Sequence, residues 1–424
     1  MGLLTFLMIS RTVVFILARP IIFVPQFYLM QIQPNVHFDD TEVAFSYKSD
    51  KELRKANFIF SIVNHPAISS VATGLAKLGL VLHLPVKGLI KATVFEHFCG
   101  GEDIAQSERT IQTLNRFHVG TILDFSAEGA HTEEGFDRTT EEILKTLDKA
   151  KDNPAIPFTV FKSTGLVSID LLTRVQSKEP LTPDEQEAFQ HFQDRVEKIC
   201  ARSHDYDVPV MIDAEDSWIQ NPIDELAYEM MKKYNQKRAI VFNTYQMYRR
   251  DMLDNLRNAY HMATMHNYYL GVKMVRGAYM EKEAERSEKM GYANPIHPNK
   301  PATDDSFNKG LAFCIDNKQR VSLMCGSHNE YSNQYLALLM DKHSMKPSDP
   351  RVWFAQLLGM SDNISFNLAK AGYNVAKYVP YGPVELVMPY LIRRAAENTS
   401  VAGQSSRELT MIRKELARRR NGKQ

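Results

Sequence analysis

KYVPYGPVELVMPYLIRRAAENTS, residues 377–400, reads as a short strand followed at once by an amphipathic helix. The same alternation runs backward through the chain. Its strand-like runs are VGTILDFSAEG (119–129), AIPFTVFKST (155–164), VPVMIDAED (208–216) and RAIVFNTYQ (238–246). GVKMVRGAY (271–279), RVSLMCGSHN (320–329), RVWFAQLLG (351–359) and NVAKYVPYG (374–382) complete a set of eight. Near-continuous apolar strands alternating with helices predict a parallel sheet covered on both faces. Eight such units within residues 119–400 predict an α/β fold, a (β/α)8 TIM-like barrel. A doubly wound open sheet is the alternative, but no strand is followed by its GxGxxG fingerprint.

Upstream of the barrel, apolar residues recur at three- and four-residue spacing from residue 42 to about 98. Residues 38–118 are therefore expected to form an N-terminal helical arm. Residues 1–37 form an apolar extension interrupted by Arg11 and Arg19 and broken by Pro20 and Pro25. Its longest uncharged run before Arg19 falls far short of the roughly 20 residues that a spanning helix needs. A small-residue cleavage site is also missing. A membrane-surface anchor and an extension outside the working protein, with Met30 as a second start, both fit. Residues 401–424 form a basic tail ending in RRRNGKQ, read as a solvated helix end.

Basic and acidic side chains nearly cancel, 51 against 50, which excludes the polyelectrolyte face of a nucleic-acid binder. The four cysteines, Cys99, Cys200, Cys314 and Cys325, contain no CxxC pair. Free thiols fit a reducing compartment, so a cytoplasmic location is expected, or a peripheral one at the inner face of a membrane. Without HExxH or similar spacing, no metal is expected.

In barrels of this kind the chemistry sits at the carboxyl ends of the strands. Here those ends carry Asp124, Lys162, Asp213 with Glu215, Asn243, Lys273 with Arg276, Ser327 with His328, Gln356 and Tyr378. Arg393 and Arg394 stand side by side on the last helix, with Tyr390 one turn earlier on the same face. Two adjacent guanidiniums repel unless an anion lies between them, and each fork matches a carboxylate bidentately. So many cations suit an anionic ligand together with a phosphate-bearing cofactor that would carry any redox chemistry. A Schiff-base aldolase using Lys162 or Lys273 is a competing reading.

IDAED (212–216), FNTYQ (242–246), VKMVRGAYMEKE (272–283), SHNE (327–330) and YVPYGPVELVMPYLIRRAAEN (378–398) resemble, in the same order, the proline dehydrogenase family. The resemblance spans roughly residues 38–400 and is densest from 208 onward. It implies a distorted (β/α)8 barrel that holds FAD and oxidises L-proline to 1-pyrroline-5-carboxylate. That reaction is the first step of proline catabolism to glutamate, and its electrons pass to a membrane quinone. It implies the stand-alone form of the family, without a fused second dehydrogenase domain, and leaves hydroxyproline open as a substrate.

The resemblance also implies residue roles. Arg393 and Arg394 would hold the proline carboxylate, Lys162 would pair with that carboxylate or with Asp124, and Tyr378 and Tyr390 would pack against the ring. Asp213 and Lys273 would be the catalytic pair. Asp213 and Ala214 would lie by the flavin, and Lys273 would stand at its reactive nitrogen, where a cation stabilises the reduced ring. Arg276, Gly277 and Ala278 would approach the pyrophosphate, where small residues let the backbone come close. Asn243, Ser327 and His328 would line the rest of the cofactor. Glu397 would orient the Arg pair or reach the ribityl chain. Lys273 departs from the Arg of many bacterial members, Ser327 from Thr, and Asn243 from Gln. Plainer roles compete at several positions: His328 as a helix cap, Tyr245 and Tyr381 as core aromatics, and Met211, Met274 and Met324 as core filler.

Overall fold

All eight strand-like runs are strands in the computed structural model. They are β1 Val119–Phe125, β2 Phe158–Lys162, β3 Val210–Asp213, β4 Val241–Gln246, β5 Leu270–Val275, β6 Val321–Gly326, β7 Val352–Leu357 and β8 Val375–Tyr381. Each pairs in parallel with the next, and β8 returns to β1 to close the barrel. The structure describes residues 36–63, 88, 91–126, 131–400 and 404–422; the side chains of 62–63, 92 and 393–406 lie outside the described set. The apolar extension therefore falls outside the described residues. All described residues belong to the unit Asn35–Gln424.

Strand side chains alternate between two faces, and in a barrel these are lumen and helix layer. The lumen cluster contains Ile122, Phe158, Val160, Met211, Phe242, Met324, Ala355, Ala376 and Tyr378. The opposite parity, including Val119, Val210, Val241, Val272, Leu323 and Val375, packs under the helices in the main core. At the amino-terminal end of the lumen, Phe158 meets Phe242 edge-on at 5.4 Å and Trp353 at 5.3 Å. These aromatics plug that end, so polar side chains can gather only at the carboxyl ends of the strands.

The covering helices are locally specified. Helix Pro183–Asp205 starts with a capping box, in which Thr182 and Glu185 satisfy each other's backbone amides, and with Pro at its first position. Helix Lys300–Asp316 is capped by Asn299 and helix Glu330–Lys342 by Asn329. His328 is therefore not the cap of the helix that follows it.

Within residues 38–118, the expected N-terminal arm, the described residues form Thr41–Ala44, Asp50–Val63, a π-helical turn Lys91–Phe95 and the short helix Glu96–Phe98. The next helix, Ile104–Asn115, sends Ile111 and Leu114 into the barrel's main core. The basic tail is not a solvated end. Its helix, Gln404–Asn421, buries Leu409, Met411 and Ile412 in a second core with Phe45, Leu53 and Phe60 of the arm. That core also takes Val387, Tyr390 and Leu391 from the last barrel helix, Val384–Ser400. Arg419 donates to the carbonyls of Phe45 (2.9 Å) and Lys48 (2.9 Å) and to Asp50 (3.0 Å). The local basicity thus ties the tail to the arm.

Candidate active site

The lumen-facing parity of β1, β2, β3, β5 and β8 delivers Asp124, Lys162, Asp213, Lys273 and Tyr378 to one end of the barrel. Lys273 and Asp213 form an ion pair, with side chains 7% and 15% exposed. The Lys273 ammonium lies 4.5 Å from the centre of the Tyr378 ring. A cation over a phenol face is attracted by the ring quadrupole, so one lysine orients both a carboxylate and an aromatic wall. The Tyr378 hydroxyl faces the Met211 sulfur at 3.5 Å.

Burial raises the Asp213 carboxyl above its ordinary range. Asp124 nearby adds to the rise, while Lys273 and Lys162 oppose it. Burial and the negative charges of Asp213 and Asp124 likewise push the Tyr378 phenol far up. Asp124 accepts a hydrogen bond from Ser126 at 2.9 Å. Lys162 lies in register with Asp213, and its charge also acts on Glu215. Burial pushes the Glu215 carboxyl up to about 7, although Thr164 donates to it from its amide (2.9 Å) and its hydroxyl.

On β4, the odd positions Val241, Asn243 and Tyr245 face the helices. Asn243 is fully buried there and donates to Asp224 of helix Gln220–Tyr234 at 2.8 Å. This corrects its expected place beside a cofactor. The residue that β4 brings to the mouth is Gln246. Its amide nitrogen donates to the Glu215 carbonyl (3.1 Å), and its buried carbonyl oxygen has no hydrogen-bond partner among the described residues. Counting by two from the lumen residue Phe242 through VFNTYQ is the sequence signal that finds it. The same parity turns Gln356 outward, where it donates to the Ser327 carbonyl (2.9 Å) and accepts from Ser365 (2.8 Å). Tyr245 and Tyr381 also face outward as core aromatics with satisfied hydroxyls, on Tyr228 (3.2 Å) and Glu142 (3.2 Å).

The loop after β5 carries Arg276, Gly277 and Ala278. Arg276 donates to Asp304 (2.7 Å), Ser327 (2.9 Å) and Ser332 (2.9 Å), and lies over the Phe307 ring at 4.3 Å. The structure thus joins Arg276 to Ser327. Gly277 has φ 130°, and a Cβ there would sit 2.5 Å from the Tyr248 ring. Glycine is required by the backbone turn and by that ring. His328 shares a hydrogen bond of 3.0 Å with Ser361, in the loop after β7. Tyr390 is buried in the second core. Arg393, Arg394 and Glu397 are on helix Val384–Ser400, and their side chains lie outside the described set.

A buried acceptor without a donor costs about 1–3 kcal/mol. The Gln246 oxygen at the strand end therefore fits a ligand that brings an N–H donor to this mouth. The arrangement brings a paired cation, an aromatic face and the Gln246 oxygen to the same end of the lumen.

A family model described as "Proline dehydrogenase" matches residues 107–407. The chain is 34% identical to "Proline dehydrogenase 1, mitochondrial" of Dictyostelium discoideum, covering 90% of this chain and 74% of that one. It is 31% identical to "Proline dehydrogenase 2, mitochondrial" of Arabidopsis thaliana, covering 78% and 79%. The barrel matches that of proline utilization A from Bdellovibrio bacteriovorus, with a TM-score of 0.67 at 18% identity. That match covers 86% of this chain and 37% of the solved one, and it bears on the fold alone. The relatives' names also correct the expected cytoplasmic location and point to the mitochondrion. Buried free thiols fit any reducing compartment and could not tell the two apart. With the family model matched over most of its length, the chain belongs to the proline dehydrogenase family.

Proposed function

We propose that this protein oxidises L-proline to 1-pyrroline-5-carboxylate with bound FAD and passes the electrons to a membrane quinone. The observation that carries the reading is Lys273, paired with Asp213 and set over the Tyr378 ring at the carboxyl end of the lumen. The unpartnered Gln246 oxygen supports a flavin, whose ring system carries an N–H donor of the kind it lacks. The names of the curated relatives support proline as substrate.

In this reading Lys273, Asp213, Ala214 and Gln246 hold the flavin ring. Arg276, Gly277, Ala278, Ser327, His328 and Glu397 hold the rest of the cofactor. Arg393 and Arg394 take the proline carboxylate, and Lys162 and Asp124 set the charge beside it. Tyr378 and Tyr390 are the apolar walls for the pyrrolidine ring. FAD supplies the acceptor for the hydride that leaves the ring carbon next to nitrogen. Only a neutral amine can push that hydride off, so turnover rises with pH into the alkaline range. No helix among the described residues is long and apolar enough to cross a membrane.

The test is anaerobic mixing of purified, FAD-loaded protein with L-proline, with hydroxyproline alongside. Proline is expected to bleach the flavin band, and Arg394→Ala is expected to abolish bleaching while the flavin stays bound. A protein that binds no added FAD ends the reading. Borohydride trapping of a carbonyl substrate on a lysine would replace it with aldolase chemistry.

A further inference from the structure

We propose that Glu408, on the C-terminal helix outside the barrel, is a positioning residue for the cofactor end of the site, acting through Ser361 on His328. The inference rests on the flavin reading above and adds a residue from outside the barrel to it.

The loop that follows β7 holds two residues in the left-handed region, Gly359 at φ 75° and Ser361 at φ 51°. A non-glycine residue there persists only when its surroundings over-determine it. Contacts from remote segments hold this loop and its entry, one of them on Ser361 itself. The Lys377 ammonium donates to the carbonyls of Leu357 (3.3 Å) and Met360 (2.6 Å). His97 of the arm meets the Gly359 carbonyl at 3.1 Å. The Ser361 amide donates to the Glu408 carboxyl at 3.0 Å.

Ser361 stands at the start of helix Asp362–Lys370, yet its side chain does not cap that helix. Its hydroxyl meets His328 Nδ1 at 3.0 Å instead. The partner of one imidazole nitrogen decides the tautomer and direction of the other. The geometry therefore runs from Glu408 to the Ser361 backbone, and from the Ser361 hydroxyl to His328 in the mouth.

Glu408 is 8% exposed, so this contact sits in a dry setting. It faces Asp362 of the adjoining helix, Lys377 of β8, Lys48 of the arm and its own neighbour Arg407. Burial and the Asp362 charge push its carboxyl up to about 7. Its hydrogen bond, rather than its charge, is the function assigned to it, which separates two substitutions. Glu408→Gln keeps an oxygen for the Ser361 amide, and Glu408→Leu removes it.

The experiment titrates FAD onto the full-length apoprotein by flavin fluorescence. The set is wild type, Glu408→Gln, Glu408→Leu, Ser361→Ala, His328→Ala and the double variant Glu408→Leu/His328→Ala. Glu408→Leu is expected to raise the FAD Kd about tenfold, with Glu408→Gln staying within about threefold of wild type. In the His328→Ala background the further loss from Glu408→Leu disappears. A purely structural contact gives the opposite result: equal losses in both backgrounds, or a lowered Tm with unchanged Kd. Either overturns the proposal. If Glu408→Leu does not fold, Ser361→Ala decides. It leaves the Glu408 contact in place, and a wild-type Kd for it rejects the route through the hydroxyl. Failure of the wild type itself to bind FAD is a different outcome and removes the flavin reading along with this one.

Discussion

Two of the barrel's lysine–aspartate pairs, Lys377–Asp362 and Lys273–Asp213, have opposite characters. Behind β8, Lys377 and Asp362 are 0% and 1% exposed. Lys377 spends its three donors on Asp362 (2.7 Å), Met360 and Leu357. Asp362 also accepts from Tyr47 (2.7 Å) and pairs with Lys48 (3.0 Å). Burial opposes its charge, but the two lysines hold its carboxyl well below the ordinary range. In the mouth, Lys273 meets a single carboxylate and an aromatic face, and that carboxyl is raised. A closed network fixes strands and loops. An open one leaves binding capacity directed at whatever enters the mouth.

Breaking the closed pair has the larger effect on stability. Lys377→Met leaves Asp362 buried with only Lys48 as a counter-charge, and a stranded buried charge costs about 3–5 kcal/mol. Urea unfolding followed by circular dichroism is expected to show that loss. A change under about 1 kcal/mol would mean that water or Lys48 compensates, and the two pairs would then be alike.

Lys273→Met tests the open pair in the other currency, rate. Stability is expected to move little, because Asp213 can take a proton at a partly exposed site. The rate of flavin bleaching by proline is expected to fall about 10²–10³-fold, the usual effect of removing one preorganised electrostatic partner. Stopped-flow absorbance measures it. A variant that bleaches at wild-type rate but unfolds easily would reverse the assignment of the two pairs.

The two pairs also differ in how readable they were. Lys273 lies at the end of an apolar run, and strand-end position alone marks it as a site residue. Lys377 begins the stretch that discloses the fold, yet its partner lies 15 residues earlier on a short helix, a pairing that no periodicity encodes. All eight strands were legible because both of their faces are apolar. Asn243 carries a polar group at a strand end, but the alternation from lumen-facing Phe242 turns it toward the helices and brings Gln246 to the mouth. The tail's docking was invisible because the acceptors of Arg419 include two backbone carbonyls of the arm, which carry no sequence signal.

The smallest expected difference is one of pH. Asp362, with its carboxyl lowered, contributes stability that is complete above its ordinary value and is lost only in strong acid. Glu215, at the mouth, runs the other way. Its carboxyl is raised to about 7, so its contribution is complete below the ordinary carboxylate value and is lost as pH rises through about 7. The unfolded chain releases that proton first, and the folded chain keeps it at a growing cost. Glu215→Gln cannot release a proton in either state, and its amide oxygen can still accept from Thr164. The stability of the variant relative to wild type is therefore expected to climb by about 2–3 kcal/mol between pH 4.5 and 8. Denaturant midpoints at pH 5, 6, 7 and 8 measure the slope, which is insensitive to any constant offset from the altered Thr164 contact. Parallel curves would mean that Glu215 is already ionised in the folded protein at pH 5, and that the mouth is as thoroughly compensated as the network behind β8.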